Sequence, residues 1–334
     1  MTVRLTERRI PATLQPGDLG ESFVHEDARA AVVSFISSPL VVGRDNVYVV
    51  FVLDDTLASR ASTYEWSFAF DDELAESRRT EIGEITYRPQ VTGTLRVVVR
   101  MLDDGDAEQA TITLSQEVVD PNAELEALIE AARNQPGPGV GDPQVARELV
   151  NDHNAYYQTV ALRTPEASDS FRLMIFGMVS DGAQQRTPAK RTEHLQRLAA
   201  ALNGDGDDFA MLATEGAGLC AIRLALLAMV VGASSEATSP LVEWTELPDV
   251  TARRAVADEQ VRQRLAALDP SARVDLFNIV RFPKSNIVHC ARIVEALRDR
   301  YFTGASFDDV LSGLSGTRAH WIVRHFREGP LVRV

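Results

Sequence analysis

Two cysteines and six histidines are the side chains of this sequence best suited to nucleophilic or metal chemistry. Cys220 has the most suggestive setting. A glycine-containing run, Glu215-Gly216-Ala217-Gly218, delivers it into the stretch GAGLCAIRLALLAMVVG, Gly216 to Gly232. From Leu219 to Val231 every residue but Arg223 is apolar. The run is shorter than the roughly 20 apolar residues that a bilayer span requires. Being apolar on all sides, it predicts a helix buried at the centre of a packed domain. A cysteine in the first turn of that helix would have its thiolate favoured by the positive end of the helix dipole. The general base would be a histidine from a later segment, His320 first and His289 second. Core packing competes with this reading, because a cysteine on an apolar helix is most often a small buried hydrophobe.

A glycine loop, a cysteine at a helix start and a distant histidine together resemble the arrangement in papain-like cysteine hydrolases. The stretch Gly316-Thr317-Arg318-Ala319-His320-Trp321-Ile322-Val323 is similar to the histidine strand of those enzymes. The resemblance implies Cys220 as nucleophile and His320 as base. The sequence departs from it in two ways. The histidine of that family sits on an antiparallel sheet, whereas this half of the chain carries helical patterns almost throughout. After His320 come only Arg324, His325, Arg327 and Glu328, with no Asn or Asp to orient the imidazole.

Metal and cofactor chemistry has less to stand on. His320 and His325 are five residues apart, not the four that put two imidazoles on one helical face. His289 and Cys290 are adjacent and point to different sides. There is no HExxH, CxxC or glycine-rich phosphate loop, so the sequence predicts neither a cofactor nor a metal site. In NGDGDD (203–208), Asn203, Asp205 and Asp207 could begin a calcium loop. Asp208 and Thr214 stand where such a loop needs Gly and Glu, which predicts a helix-connecting turn. The clusters Asp54-Asp55, Asp71-Asp72-Glu73 and Asp103-Asp104-Gly105-Asp106 read as solvated turns, with calcium as the alternative. Glu215 and Glu243 are candidate acid/base carboxylates without a readable partner spacing. Arg223, if buried in the apolar helix, must find a carboxylate such as Glu215 or Asp208.

The elements that would position these groups fall into two kinds. A length of 334 residues corresponds to about two domains. The hydrophobic content of 45% and charged content of 25% are those of a globular protein. The net charge of −14 argues against nucleic acid and anionic lipid as partners. The first residues, MTVRLTERRIPATLQPGDLG, lack the apolar core of a secretory signal. With no transmembrane run either, a cytoplasmic chain is expected, leaderless export remaining open. Two cysteines in apolar segments predict reduced, buried thiols and no disulfide framework.

Residues 1–30, broken by Pro11, Pro16 and Gly17, read as an extended arm. β-like runs follow at 31–37, 47–53, 63–70, 81–87, 94–101 and 109–118, the last two alternating and joined by the Asp-Asp-Gly turn. Their density, without helical periodicity, predicts an antiparallel sandwich over 31–119. Tyr64-Glu65-Trp66-Ser67-Phe68, then Gly93-Thr94-Leu95-Arg96-Val97-Val98-Val99, the Asp103-Asp104-Gly105 turn and a last alternating strand resemble a polycystic-kidney-disease-type or related immunoglobulin-like domain. That resemblance implies a non-catalytic binding or spacer module with Trp66 in its core. The glycine-rich turn that the family places after the tryptophan strand is replaced here by Phe70-Asp71-Asp72-Glu73.

A short helix around Leu125–Ala132 and a Pro/Gly-rich linker at 134–143 connect the sandwich, over 120–141, to an α-helical domain at 142–334. Helix starts are expected at Asp142-Pro143, Thr187-Pro188, Asp269-Pro270, Asn286 and, as a capping box, Ser306-x-x-Asp309. His153 lies on the apolar face of the first of these. The expected architecture is an all-β immunoglobulin-like sandwich followed by an all-α domain with a buried central helix. The expected function is that of a non-enzymatic interaction protein, an adaptor or accessory component of a protein assembly. The competing expectation is a leaderless effector or toxin-like hydrolase using Cys220. An enclosed Cys220 favours the first, and an exposed Cys220 touching a histidine the second.

Overall fold

The computed structural model describes residues 10, 14–36, 38–120, 168, 171, 174–175, 177–179, 181–182, 186–202, 204, 206–231, 259, 261–312 and 317–328. The connecting helix and linker at 120–141 lie beyond residue 120, outside the described residues, as do the helix expected from Pro143 with His153, and Glu243.

Period-two alternation builds the first half. The strands are β1 (Glu21–Val24), β2 (Ala30–Ser34), β3 (Leu40–Val41), β4 (Asn46–Val52), β5 (Thr63–Phe70), β6 (Glu73–Thr80), β7 (Glu84–Tyr87), β8 (Gly93–Leu102) and β9 (Glu108–Val119). They form a four-stranded antiparallel sheet in the order β1-β2-β4-β7 and a five-stranded sheet in the order β3-β9-β8-β5-β6. The second sheet is mixed, because β3 pairs with β9 in parallel. Alternate residues of β5 (Trp66, Phe68, Phe70), β8 (Leu95, Val97, Val99, Met101) and β9 (Ile112, Leu114) meet Val32, Tyr48, Val50, Ile85 and Tyr87 of the first sheet in one core. Phe68 stacks on Tyr87 with ring centroids 3.8 Å apart. Trp66 is fully buried and donates its Nε1–H to Thr80 Oγ1 at 2.9 Å.

The acidic turns serve the backbone. Asp103 Oδ1 accepts from Gly105 N and Ala107 N, each at 2.9 Å, and holds the β8–β9 hairpin. Asp54 Oδ1 accepts from Leu57 N at 2.7 Å, capping α2 (Asp55–Arg60). Asp71 and Asp72 both have positive φ (46° and 70°), the conformation of a two-residue type I′ hairpin turn between β5 and β6. Left-handed aspartates thus replace the missing glycines. The strand they lead into, β6, has no alternation in its sequence because it is an edge strand exposed on nearly every residue.

The described part of the stretch expected as an arm is not free. From residue 14 onward the chain is part of the fold: α1 (Pro16–Leu19) is followed by β1, which pairs with β2. Leu14 and Leu19 are buried, and Lys284 Nζ donates to the Gly17 carbonyl. No periodicity could announce elements of four residues each.

The second half is helical: α3 (Pro188–Ala201), α4 (Gly206–Ala213), α5 (Leu224–Val230), a helical turn and a half at 261–266, α6 (Pro270–Arg281), α7 (Pro283–Tyr301), α8 (Phe307–Ser312) and α9 (Thr317–Glu328). The caps are those that composition announces. Thr187 Oγ1 accepts from Lys190 N, Asp269 Oδ1 from Ser271 N at 2.8 Å, and Ser306 and Asp309 bond reciprocally. α7 starts at Pro283 rather than at Asn286, with Phe282 as its N-cap residue.

The central apolar stretch is not one helix. Gly216–Ala217 (β10) and Ile222–Arg223 (β11) form a small antiparallel hairpin, and only Leu224–Val230 is helical. Gly218 (φ 69°) and Ala221 (φ 51°) turn the chain through left-handed conformations that no helix admits. Gly218 is required as well by its neighbours, since a Cβ there would lie 2.2 Å from Asn286 Nδ2 and 2.3 Å from the Val280 carbonyl. Burial is as the apolar run demands: all of Leu224 to Met229 is enclosed.

The outer face of the first sheet is apolar too. Every residue of β2 is buried, as befits a sheet covered on both sides. Val33, Val49 and Phe51 join the helical core. Phe282 packs on Phe35 (centroids 4.3 Å) and Phe51 (5.9 Å), and Arg281 pairs with Glu84 of β7 at 3.0 Å. Helices, first sheet and second sheet therefore stack as three layers around two cores.

Candidate functional site

Cys220 sits at the tip of the β10–β11 hairpin, not in a helical turn. Its backbone N–H donates to Asn286 Oδ1 at 2.8 Å. The Asn286 amide in turn donates to the carbonyls of Ala217 (3.2 Å) and Val280 (3.0 Å), clamping the turn against α6 and α7. From α9, Arg327 donates to the Cys220 carbonyl at 2.9 Å and to the Met178 carbonyl at 3.2 Å, and pairs with Asp181 at 2.5 Å. The Cys220 side chain is fully enclosed, and so is that of Cys290 on α7. Asn286 and Cys290 are one helical turn apart on the same face of α7.

Burial pushes the Cys220 thiol well above its ordinary range, and the contact with Cys290 adds to that; only the Arg327 charge acts the other way. At neutral pH the sulfur is a protonated thiol. The helix-dipole activation expected from the sequence does not operate here, because α5 begins four residues later.

The two histidines are placed elsewhere. His289 is buried on α7, with Nδ1 2.8 Å from the Ser285 carbonyl. Nδ1 therefore carries the proton, and Nε2 accepts from Arg292 at 3.4 Å. Burial lowers its pKa to about 4, and the positive charge of Arg292 acts in the same direction. His320 is exposed on α9. Cys220, His289 and His320 are thus not joined by any described hydrogen bond. Cys290, Asn286 and Arg327 are the companions that the sequence did not single out. The α7 pair carried a signal, a polar and a thiol side chain at i and i+4 within an apolar helix.

Glu215 pairs with Arg186 at 3.5 Å, and its carboxylate also lies 3.3 Å from His194 Nδ1. His194 is buried on α3, and desolvation with the Arg186 charge lowers its pKa against the pull of Glu215. Arg223 is half-buried in β11, ahead of α5 rather than inside it. In the acidic run that leads into α4, Asp207 and Asp208 belong to the helix's first turn, where Asp207 pairs with Arg262 at 2.6 Å and Asp208 is exposed, while Asn203 and Asp205 lie outside the described residues. Among the described residues no group of three or more His, Cys, Asp or Glu could hold a metal ion. No described helix is long and apolar enough to cross a membrane.

No family model and no curated protein matches the chain. Among solved structures it is similar to the extracellular domain of a protein described as a one component system from B. thetaiotaomicron, at 15% identity and a TM-score of 0.20. That match covers 25% of this chain and 11% of the other. It is also similar to a beta-1,2-glucanase from Parabacteroides distasonis, at 12% identity and a TM-score of 0.22, over 69% of this chain and 32% of that one. The chain thus spans a third or less of either structure, and likeness of this degree assigns neither fold nor activity.

Proposed function

We propose that this chain is a non-enzymatic interaction protein, an adaptor or accessory component of a protein assembly, whose strand-rich half is an immunoglobulin-like sandwich of the polycystic-kidney-disease type. The observation that carries the reading is the enclosure of Cys220. The one side chain with a nucleophile's sequence setting is sealed in the core and protonated. Support for binding comes from the sheet edges. Exposed Phe23 and Val24 lie on edge strand β1, and Leu74, 66% exposed, on edge strand β6. Edge strands present unpaired backbone groups to which another chain can add. The two sheets sharing a core around Trp66 favour the immunoglobulin-like assignment; the parallel β3–β9 pair is a variation on it.

The test is alkylation of Cys220 in the folded Cys290→Ala chain as a function of pH. Modification only on denaturation is the expected result. Fast modification with an apparent pKa below the free-thiol value of about 8.5 would overturn the reading in favour of a cysteine-dependent effector, with His320 as the next residue to change.

A further inference from the structure

The five-stranded sheet ends on an edge whose charges complement themselves when the strand is reversed. β6, with the sequence ELAESRRT, is the outer strand of that sheet and is bonded to β5 on one side. Every residue of it is exposed or half-buried. We propose that this edge is the surface through which the chain pairs with a second copy of itself, β6 antiparallel to β6 about a two-fold axis at Ser77. The proposal rests on the reading of the chain as an interaction protein and names a partner for it.

The register follows from symmetry and charge. Hydrogen-bonded and non-hydrogen-bonded pairs alternate along an antiparallel ladder. A two-fold axis therefore lets strands pair only where some residue faces its own counterpart. With Ser77 at the axis, Glu76 of each copy faces Arg78 of the other, and Ala75 faces Arg79. The next registers to either side put Glu76 against Glu76, or Arg78 against Arg78. Like charges directly opposite destabilise a sheet, so charge selects Ser77. Glu76 and Arg78 share one face of β6, opposite Phe68 and Trp66 of β5, and already pair within the strand. In the dimer the two pairs close into a ring of four charges of alternating sign.

Other features of the edge fit a second copy. Strand edges kept from pairing commonly carry Pro or Lys, and β6 has neither. Its two Glu and two Arg make it neutral, in a chain of net charge −14 whose copies otherwise repel. Leu74, 66% exposed, stands at the end of the ladder, where a second copy takes part of it out of water. Ala75 has no partner on β5, and the bulge there ends the regular ladder. The paired segment is therefore short, and the dimer belongs to the micromolar range of affinity rather than the nanomolar.

The experiment is sedimentation equilibrium of the full-length chain from about 1 μM to about 200 μM. A monomer–dimer equilibrium is expected for the wild type. Glu76→Arg and Arg78→Glu each turn both attractive pairs into like-charge pairs. Each should weaken self-association by on the order of tenfold or more. Both changes in one chain should restore the dimer. Mixing the two single variants should do so too, since each then complements the other. Ser77→Cys should give a disulfide-linked dimer under mild oxidation. Arg79→Cys should link far more slowly, because its counterparts stand about 14 Å apart in this register. A wild type that stays monomeric throughout the range would overturn the proposal, and so would a dimer indifferent to the charge reversals. Either result leaves the interaction reading intact while Cys220 resists alkylation. Fast alkylation of Cys220 overturns that reading whatever the mass.

Discussion

His289 is a neutral imidazole held in an apolar helix interface, and its protonation is therefore linked to folding. Its native pKa is depressed to about 4, first by burial, while in the unfolded chain it titrates near 6.5. Above pH 6.5 both states are neutral, and the histidine costs nothing. Between pH 6.5 and 4 the unfolded chain takes up a proton that the native state refuses. Stability then falls with falling pH, by up to about 1.4 kcal/mol per pH unit. His194, depressed by desolvation and Arg186, acts with the same sign. The urea midpoint should drop from pH 7 to pH 4.5, and His289→Gln should flatten that slope. An unchanged slope in the variant would mean that the native imidazole is protonated already. The environment of His289 was partly legible, since it follows an apolar helical pattern. That of Cys220 was legible only as burial: the Asn286 and Arg327 that fix it are 66 and 107 residues away in sequence, and no local pattern encodes such neighbours.

Elements were readable where periodicity and caps coincide. β5, β8 and β9 alternate cleanly, and α3, α6 and α8 begin at the Thr, Asp and Ser residues whose side chains cap them. Short or edge elements escaped. β6 is an exposed edge strand without apolar alternation, so its sequence resembles a loop. The apolar run at 219–231 has the composition of a helix, but the glycines of a turn stand just before it; left-handed Gly218 and the hairpin pairing decide the outcome. The same tension governs residues 14–24, where Pro16 and Gly17 suggest a loose end. Leu19 of α1 is nonetheless completely enclosed in the helical core. If this segment is an integral element, Leu19→Ala should destabilise the chain by about 2–5 kcal/mol, the cost of a cavity at a fully buried leucine. Denaturant unfolding checks this. A change below about 0.5 kcal/mol, typical of surface sites, would return residues 1–30 to the status of a free arm.

At the scale of the whole molecule, an ion pair crosses from the strand-rich half to the helical half with its arginine shut away from water. Arg281 is buried among Phe35, Phe277 and Phe282, its guanidinium 4.9–5.8 Å from their ring centroids, and its Nη1 donates to Glu84 Oε2 at 3.0 Å. Its Nε and Nη2 have no hydrogen-bond partner, so the rings and the single carboxylate supply most of the compensation for a desolvated charge. Burial correspondingly pulls the Arg281 pKa down, against the stabilising charge of Glu84. Taking away the carboxylate alone leaves the cation stranded, which costs more than the pair itself is worth. Glu84→Gln should therefore destabilise the chain by about 3–5 kcal/mol, discounted toward the lower figure because Glu84 is 28% exposed. Adding Arg281→Met removes the stranded charge while keeping apolar volume between the rings. The double variant should recover most of the loss, and a double-mutant cycle on urea unfolding reads the coupling directly. Because Val33, Val49 and Phe51 of the first sheet belong to the helical core, sheet and helix signals should move together in every variant. Additive losses with separate transitions would mean that the two halves fold as independent units and that Glu84–Arg281 is a surface contact between them.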